Sequence, residues 1–364
     1  MLQLDTPVKH FGPCLLLFSC FLLLPFWART QDARFANIAA APQLTNPAMT
    51  GMMNGGMRFT ANFRELYSGL LGSNGYRSIG AGLEFRRQAG NGNYFGFGGQ
   101  LQRDKAGESD FTRIQGLLGF SYQQQIGGSR RGGSGQFLSG GAQIGFGQRG
   151  YDLNKLWFSN QYFVDNTTRE AYLDRTTPTG EPFSGQGAGN YLDVNAGIGW
   201  FGTLGERMGA YFGVAAYHLN APDVSPLPGF VDELDQRFVI HGGGEVPIGR
   251  GDMSLLPAVR FMTQGPAYEA LFGANLRYTE RRWREVALRA GLWGQMSNQT
   301  GDSPGFNAWV ISVGLETERV QFGVSYDITV GNINTITNGR GGWELSMIYV
   351  QPANYRDRVI CPKF

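Results

Sequence analysis

From Met57 to Val350 the chain alternates apolar residues with small or polar ones, in about fourteen segments of roughly ten residues each. In the stretch 343–350, Trp343, Leu345, Met347 and Tyr349 fall on one face, and Glu344 and Ser346 on the other. A period of two is the strand period. Roughly ten residues cross a bilayer when a strand is tilted, and alternation over that length separates a lipid face from a lumen face. The pattern predicts an all-β fold, a transmembrane antiparallel barrel of about fourteen strands. A soluble sandwich has shorter strands and no need of so many this long.

The strand candidates are 57–65, 77–87, 93–103, 111–123, 136–148, 191–202, 208–218, 236–248, 253–263, 269–278, 285–295, 305–316, 319–329 and 341–350. Most sort cleanly into two faces, as with Phe59, Ala61 and Phe63 against Arg58, Thr60, Asn62 and Arg64. Segment 208–218 does not, because both of its faces are largely apolar or aromatic. Connection lengths give a separate test, since such barrels carry short turns at one end and longer loops at the other. Connections after even candidates are short, with 124–135 as the long exception. Those after odd candidates include the long 66–76, 150–190, 219–235, 296–304 and 330–340. The parity predicts an even strand count with both termini periplasmic.

Outside the barrel, Lys9 and His10 precede a short apolar run, and Ala28-Arg29-Thr30 follows it, so residues 1–30 read as a signal peptide. Removing it leaves Cys361 as the one thiol, and no intramolecular disulfide is possible. Residues 31–56 carry turn chemistry, with Asn46-Pro47 disfavouring helix, and read as a periplasmic lead-in or a partial plug. The barrel takes 57–350. A periplasmic tail, 351–364, follows Pro352, which stops strand pairing. Two roles are open for this tail. It seals the barrel mouth against residues 31–50, burying Ile360 and Phe364, or it docks a periplasmic partner and exposes Cys361.

A net charge of +2 gives no electrostatic case for nucleic acid. The mean hydropathy of −0.23 is too low for a helical membrane protein. The 55 glycines are far above the usual share of about 7% and lie inside strands, where a closed barrel uses them to bend and to admit large neighbours. An enzyme is disfavoured. Only His218 and His241 survive signal removal, and neither sits in a metal-pair spacing or a nucleophile elbow. Asp165 and Asp174 lack the spacing of a calcium loop, and no cofactor is implied.

The lumen set includes Arg58, Glu84, Arg260, Arg277, Arg289 and Asp327. Its mixed signs suit either cross-lumen pairing or a lined pore, and pairing is favoured because unpaired charges in a narrow barrel are costly. Trp200, Trp283, Trp293, Trp309 and Trp343 fall near strand ends, as lipid-interface girdle residues do.

Several segments, in order, resemble the PorP/SprF family of outer-membrane components of type IX secretion and gliding machinery in Bacteroidota. They are Gln31-Asp-Ala-Arg-Phe, Leu44-Thr-Asn-Pro-Ala-Met-Thr-Gly, Asn154-Lys-Leu-Trp-Phe-Ser-Asn-Gln and Phe212-Gly-Val-Ala-Ala-Tyr-His. His241-Gly-Gly-Gly, Leu256-Pro-Ala-Val-Arg, Val324-Ser-Tyr-Asp and Cys361-Pro-Lys-Phe follow. Ala33 departs from the family's usual proline. The resemblance implies a non-enzymatic barrel that supports export or surface retention of a secreted protein. Its implied partners are periplasmic lipoproteins, a peptidoglycan-linked protein, the cargo itself and outer-membrane lipid. The docking so implied singles out Asn46, Pro47, Tyr355, Ile360, Cys361 and Phe364, with Trp157, Phe158 and Tyr162 in the long surface loop. A small-solute channel or transporter is the alternative, discriminated by an open lumen and conductance.

Overall fold

The computed structural model describes residues 32, 34–129, 134–180, 186–205, 208–225, 227, 229–249, 252–279, 286–298 and 305–352. Residues 1–30, expected to be a signal peptide, Trp283, and the tail residues Tyr355, Ile360, Cys361 and Phe364 lie outside them. The strands in chain order are β1 (Met57–Leu66), β2 (Tyr76–Gly90), β3 (Asn93–Ala106), β4 (Phe111–Ser129), β5 (Ser134–Asp152), β6 (Tyr162–Val164), β7 (Ala171–Leu173) and β8 (Gln186–Gly205). They continue as β9 (Met208–Tyr217), β10 (Arg237–Ile248), β11 (Met253–Gln264), β12 (Ala267–Tyr278), β13 (Val286–Ser297), β14 (Gly305–Thr317), β15 (Val320–Thr329) and β16 (Arg340–Gln351).

All but β6 and β7 close into one antiparallel barrel of fourteen strands. β5 pairs with β8 across the long insertion, and β16 closes on β1 with Met57 opposite Gln351. Alternation decides which way each residue faces. In β1, Arg58, Thr60, Asn62 and Arg64 are buried toward the lumen. On the outer face Leu118, Leu101 and Val313 are 69%, 65% and 61% exposed, an arrangement that only a bilayer makes favourable.

Most short connections gather at one end, here the turn end, and the longest loops at the other, the loop end, which also carries the short β3–β4 and β11–β12 connections. Asn91 (φ 50°) and Gly92 (φ 85°) join β2 to β3 in a two-residue turn of the mirror-image kind that suits strand twist. The long exception between β4 and β5 disappears, because strand runs through Ser129 and resumes at Ser134. The continuing Gln136–Gly127 and Ser134–Ser129 pairings explain why. The segment with two apolar faces, β9, is also resolved. Tyr211, Ala215 and Tyr217 are buried on the lumen side, where they pack in clusters, and Phe212 faces lipid.

Candidate functional site

The lumen is filled by the chain's own N-terminal segment. Residues 35–53 are buried almost throughout, as a 3-10 turn (Ile38–Ala40), one turn of α-helix (Pro42–Thr45) and a second 3-10 turn (Pro47–Met49). Pro42 and Pro47 each occupy a first-turn position, where the missing N–H costs nothing. Segments this short leave most backbone groups without internal partners, and a buried unpaired group costs about 1–3 kcal/mol. The barrel wall supplies the partners.

Many of the plug carbonyls meet a lumen side chain. Asn62 donates to Ala40 O at 2.7 Å, Ser139 to Ala48 O at 2.7 Å, and Ser121 and Gln123 to Thr50 O at 2.6 and 3.0 Å. Gln143 and Tyr217 share Gln43 O, each at 3.1 Å. Arg260 reaches Phe35 O at 2.9 Å and Arg58 reaches Met52 O at 3.0 Å. In the other direction, the N–H groups of Ala36 and Asn37 donate to the Glu344 carboxylate at 2.6 and 2.9 Å.

Asn46 is the centre of this arrangement and is fully buried. Its Oδ1 accepts from Ala48 N at 2.8 Å, capping the second 3-10 turn. Its Nδ2 lies 3.0 Å from Ile198 O, 3.2 Å from Val214 O and 3.0 Å from His241 Nε2. The intrastrand glycines make room for these contacts. A Cβ on Gly213 would stand 2.6 Å from Asn46 Nδ2, one on Gly141 2.5 Å from the Pro47 carbonyl carbon, and one on Gly98 2.8 Å from Gln43 Nε2. Glycine in a strand marks a close approach by another part of the chain, and here that part is the plug, by side chain at Gly213 and Gly98 and by backbone at Gly141.

The direction of the plug departs from expectation. Its C-terminal part reaches Arg58, next to the turn end, and runs into β1 there. Arg34 pairs instead with Glu269 at 2.5 Å, two residues from the loop end of β12, and its carbonyl accepts from Arg64 near the loop end of β1. The segment therefore threads the barrel lengthwise, and Arg34 lies toward the loop end. The barrel strands begin and end at the turn end as parity required, but the chain ahead of β1 does not stay there.

Charges line this path in pairs. Arg64 meets Asp327 at 2.6 Å and Glu344 at 3.7 Å, Arg260 meets Glu269 at 3.3 Å, and Arg58 pairs with Glu84. Arg277 and Arg289 converge on Glu316 at 2.9 and 2.7 Å. All six lumen charges singled out from the sequence are thus buried and paired. Arg34 from the plug joins Arg64 and Arg260 against Glu269, Asp327 and Glu344, so the plug supplies the third cation of a balanced set. Arg64 and Arg260 alone would leave one acid in excess.

Apolar clusters lie near both ends of the lumen among the described residues. At the turn end Met49 and Met52 pack with Tyr94, Phe137, Phe201 and Tyr211, and Phe137 stacks on Phe201 at 4.9 Å. At the loop end the segment between β9 and β10 folds inward, burying Val224 and Leu234 against Tyr191. Beside them Gln115 donates to Asp193 at 2.7 Å and Asp193 contacts His218 Nδ1 at 2.9 Å. His218 and His241 are therefore both held inside the barrel. A cavity of about 60 Å³ remains beside residues 36–39, with Tyr211, Leu256, Asn275, Arg289 and Trp293 among its lining. That is room for roughly two waters.

Two expectations need correction. Asn46 and Pro47 lie inside the barrel, so a partner cannot reach them while the plug is seated. Trp293 is no girdle residue, because it faces the lumen and donates to Ser312 Oγ at 3.4 Å. Trp309 and Trp343 do face lipid, packed on Phe306 and Phe63 at 4.7 and 4.9 Å. One signal for the plug was present in the sequence: residues 35–57 contain no charged side chain.

The surface-loop candidates Trp157, Phe158 and Tyr162 lie in the long connection between β5 and β8. Trp157 and Tyr162 are exposed and stack at 6.0 Å, and Phe158 is half-buried beside them. Tyr162 opens the small β6–β7 hairpin, which is not joined to the barrel sheet.

No curated protein matches the chain. Among solved structures, the Pseudomonas putida toluene transporter TodX is 9% identical, with a TM-score of 0.44, over 84% of this chain and 92% of that one. The CymD monoaromatic hydrocarbon channel is 13% identical, with a TM-score of 0.42, over 88% and 94%. A Pseudomonas aeruginosa FadL homologue is 11% identical, with a TM-score of 0.44, over 85% and 93%. The model of one family spans residues 28–349, nearly the whole chain, including the plug with its Asn46-Pro47 anchor and the barrel that holds it. The chain belongs to the family of type IX secretion system membrane proteins, PorP/SprF.

Proposed function

We propose that this protein is a non-enzymatic outer-membrane component of type IX secretion that supports export or surface retention of secreted proteins by docking them. The turn end faces the periplasm and the loop end faces outward. Periplasmic partners, lipoproteins and a peptidoglycan-linked protein, engage the turn end, and the exported protein engages the loops. The observation that carries this reading is the family match across 28–349. The seated plug supports it over a small-solute channel, because the wall side chains that would line a pore are committed to the plug backbone.

Deleting the gene and following surface and secreted proteins tests the reading. The expected outcome is loss of particular proteins from the surface or medium with unchanged uptake of small solutes. Normal display in the deletion strain, together with steady conductance of the purified barrel in planar bilayers, would establish the channel instead.

A further inference from the structure

The β6–β7 hairpin has the surface of an unfinished sheet. Phe163 stacks on Tyr172 at 5.8 Å on one face, and Tyr162, Val164, Ala171 and Leu173 occupy the other, with Trp157 stacked on Tyr162. Tyr162, Val164, Tyr172 and Leu173 are 46%, 48%, 54% and 39% exposed. Strands apolar on both faces belong to sheets covered on both faces, and a two-stranded hairpin alone is marginal in water.

The edges are open as well. Asp165 N bonds to Glu170 O and Asp174 N to Gln161 O, each at 2.9 Å, which makes 165/170 and 161/174 hydrogen-bonded pairs. Alternation makes 163/172 the third. The backbone groups of Tyr162 and Val164 therefore point out of one edge, and those of Ala171 and Leu173 out of the other. Among the described residues one backbone hydrogen bond reaches these edges, from Tyr162 N to Ser159 O in the turn just before β6, and the outward groups of Val164, Ala171 and Leu173 meet none.

We infer that this hairpin is an acceptor edge for an extended strand of the exported protein, which adds to β6 or β7 and covers its apolar faces. The open edge decides the class of occupant. A lipid surface would cover the rings but leave the backbone N–H and C=O groups unsatisfied, whereas a polypeptide strand satisfies both. Alternate side chains of that strand lie over Tyr162 and Leu173 or over the Phe163–Tyr172 stack, so the segment it takes is apolar at alternate positions. The inference rests on the secretion reading and names the partner's chemistry within it.

The test places a photo-crosslinking phenylalanine analogue at Tyr172 in the full-length protein in intact cells. The expected result is an adduct with a protein dependent on this barrel for its display, mapped to an extended segment of alternating apolar residues. Val164→Pro and Leu173→Pro remove outward N–H groups, one from each edge, while leaving the hairpin's own bonds. One of them should lower the adduct at least tenfold, with heat-modifiable mobility of the barrel unchanged. Lipid adducts alone, adducts only with a second copy of this chain, or adducts that neither proline weakens would overturn the acceptor edge. If those results accompany a deletion strain that still loses its surface protein, the secretion reading stands and the hairpin claim alone falls.

Discussion

The side-chain amide of Asn46 lies 3.0 Å from His241 Nε2, and the geometry fixes which of the two gives the hydrogen. Asn46 Oδ1 accepts from Ala48 N, so the NH2 group must face the wall. There it also meets two carbonyls, which only a donor satisfies. His241 Nε2 is then the acceptor, and the ring is held neutral with its hydrogen on Nδ1. This contact ties the turn-forming Asn-Pro pair of the plug to the His-Gly-Gly-Gly stretch of β10, 195 residues away.

Asn46→Leu removes the cap and the wall contacts together, at a cost of about 3 kcal/mol to plug seating. Backbone hydrogen exchange of residues 46–53 should accelerate, while the barrel keeps its heat-modifiable mobility on gels. Unchanged exchange would show that the plug is held elsewhere.

Glycines on the lumen face should be intolerant where the plug touches them. Gly141→Val drives a side chain into the Pro47 backbone, whereas Gly140→Val, with nothing within 4 Å, points to lipid. The expected outcome is conductance in planar bilayers for the first variant and wild-type behaviour for the second.

Removing one partner of a buried ion pair strands the other. Asp327→Ala leaves Arg64 with only the longer ion pair, to Glu344, and the expected loss is about 3–5 kcal/mol. The temperature of the gel-mobility transition should fall. Arg77→Ala breaks a half-exposed pair with Glu65 and should shift it little.

Acid should loosen the hairpin. The N–H groups of Thr168 and Thr167 hold the Asp165 carboxyl below its ordinary 3.8, and the Thr176 hydroxyl and N–H with the Thr177 hydroxyl hold Asp174 below it. A depressed carboxyl stabilises the fold above its unfolded value, and the effect is lost as pH falls through the folded one. Limited proteolysis within 162–174 should be unchanged between pH 8 and 5 and should rise below pH 3.8.

The sequence by itself determined the barrel. Side chains on a strand alternate between two solvents, so the register of Phe59, Phe63 and Leu345 against Arg58, Arg64 and Glu344 is written in a period of two. The number of such segments set the strand count, and connection lengths agreed with it independently. The plug was not legible that way, because residues 35–53 have no period and their bonds are made with side chains spread from β1 to β16. Only closure of the barrel brings Asn62, Ser139, His241, Arg260 and Glu344 around one short segment. Their charge and hydrogen-bonding capacity were visible from the start. Their partners were decided by tertiary structure, since a backbone buried in a polar lumen takes whichever groups the closed wall presents to it.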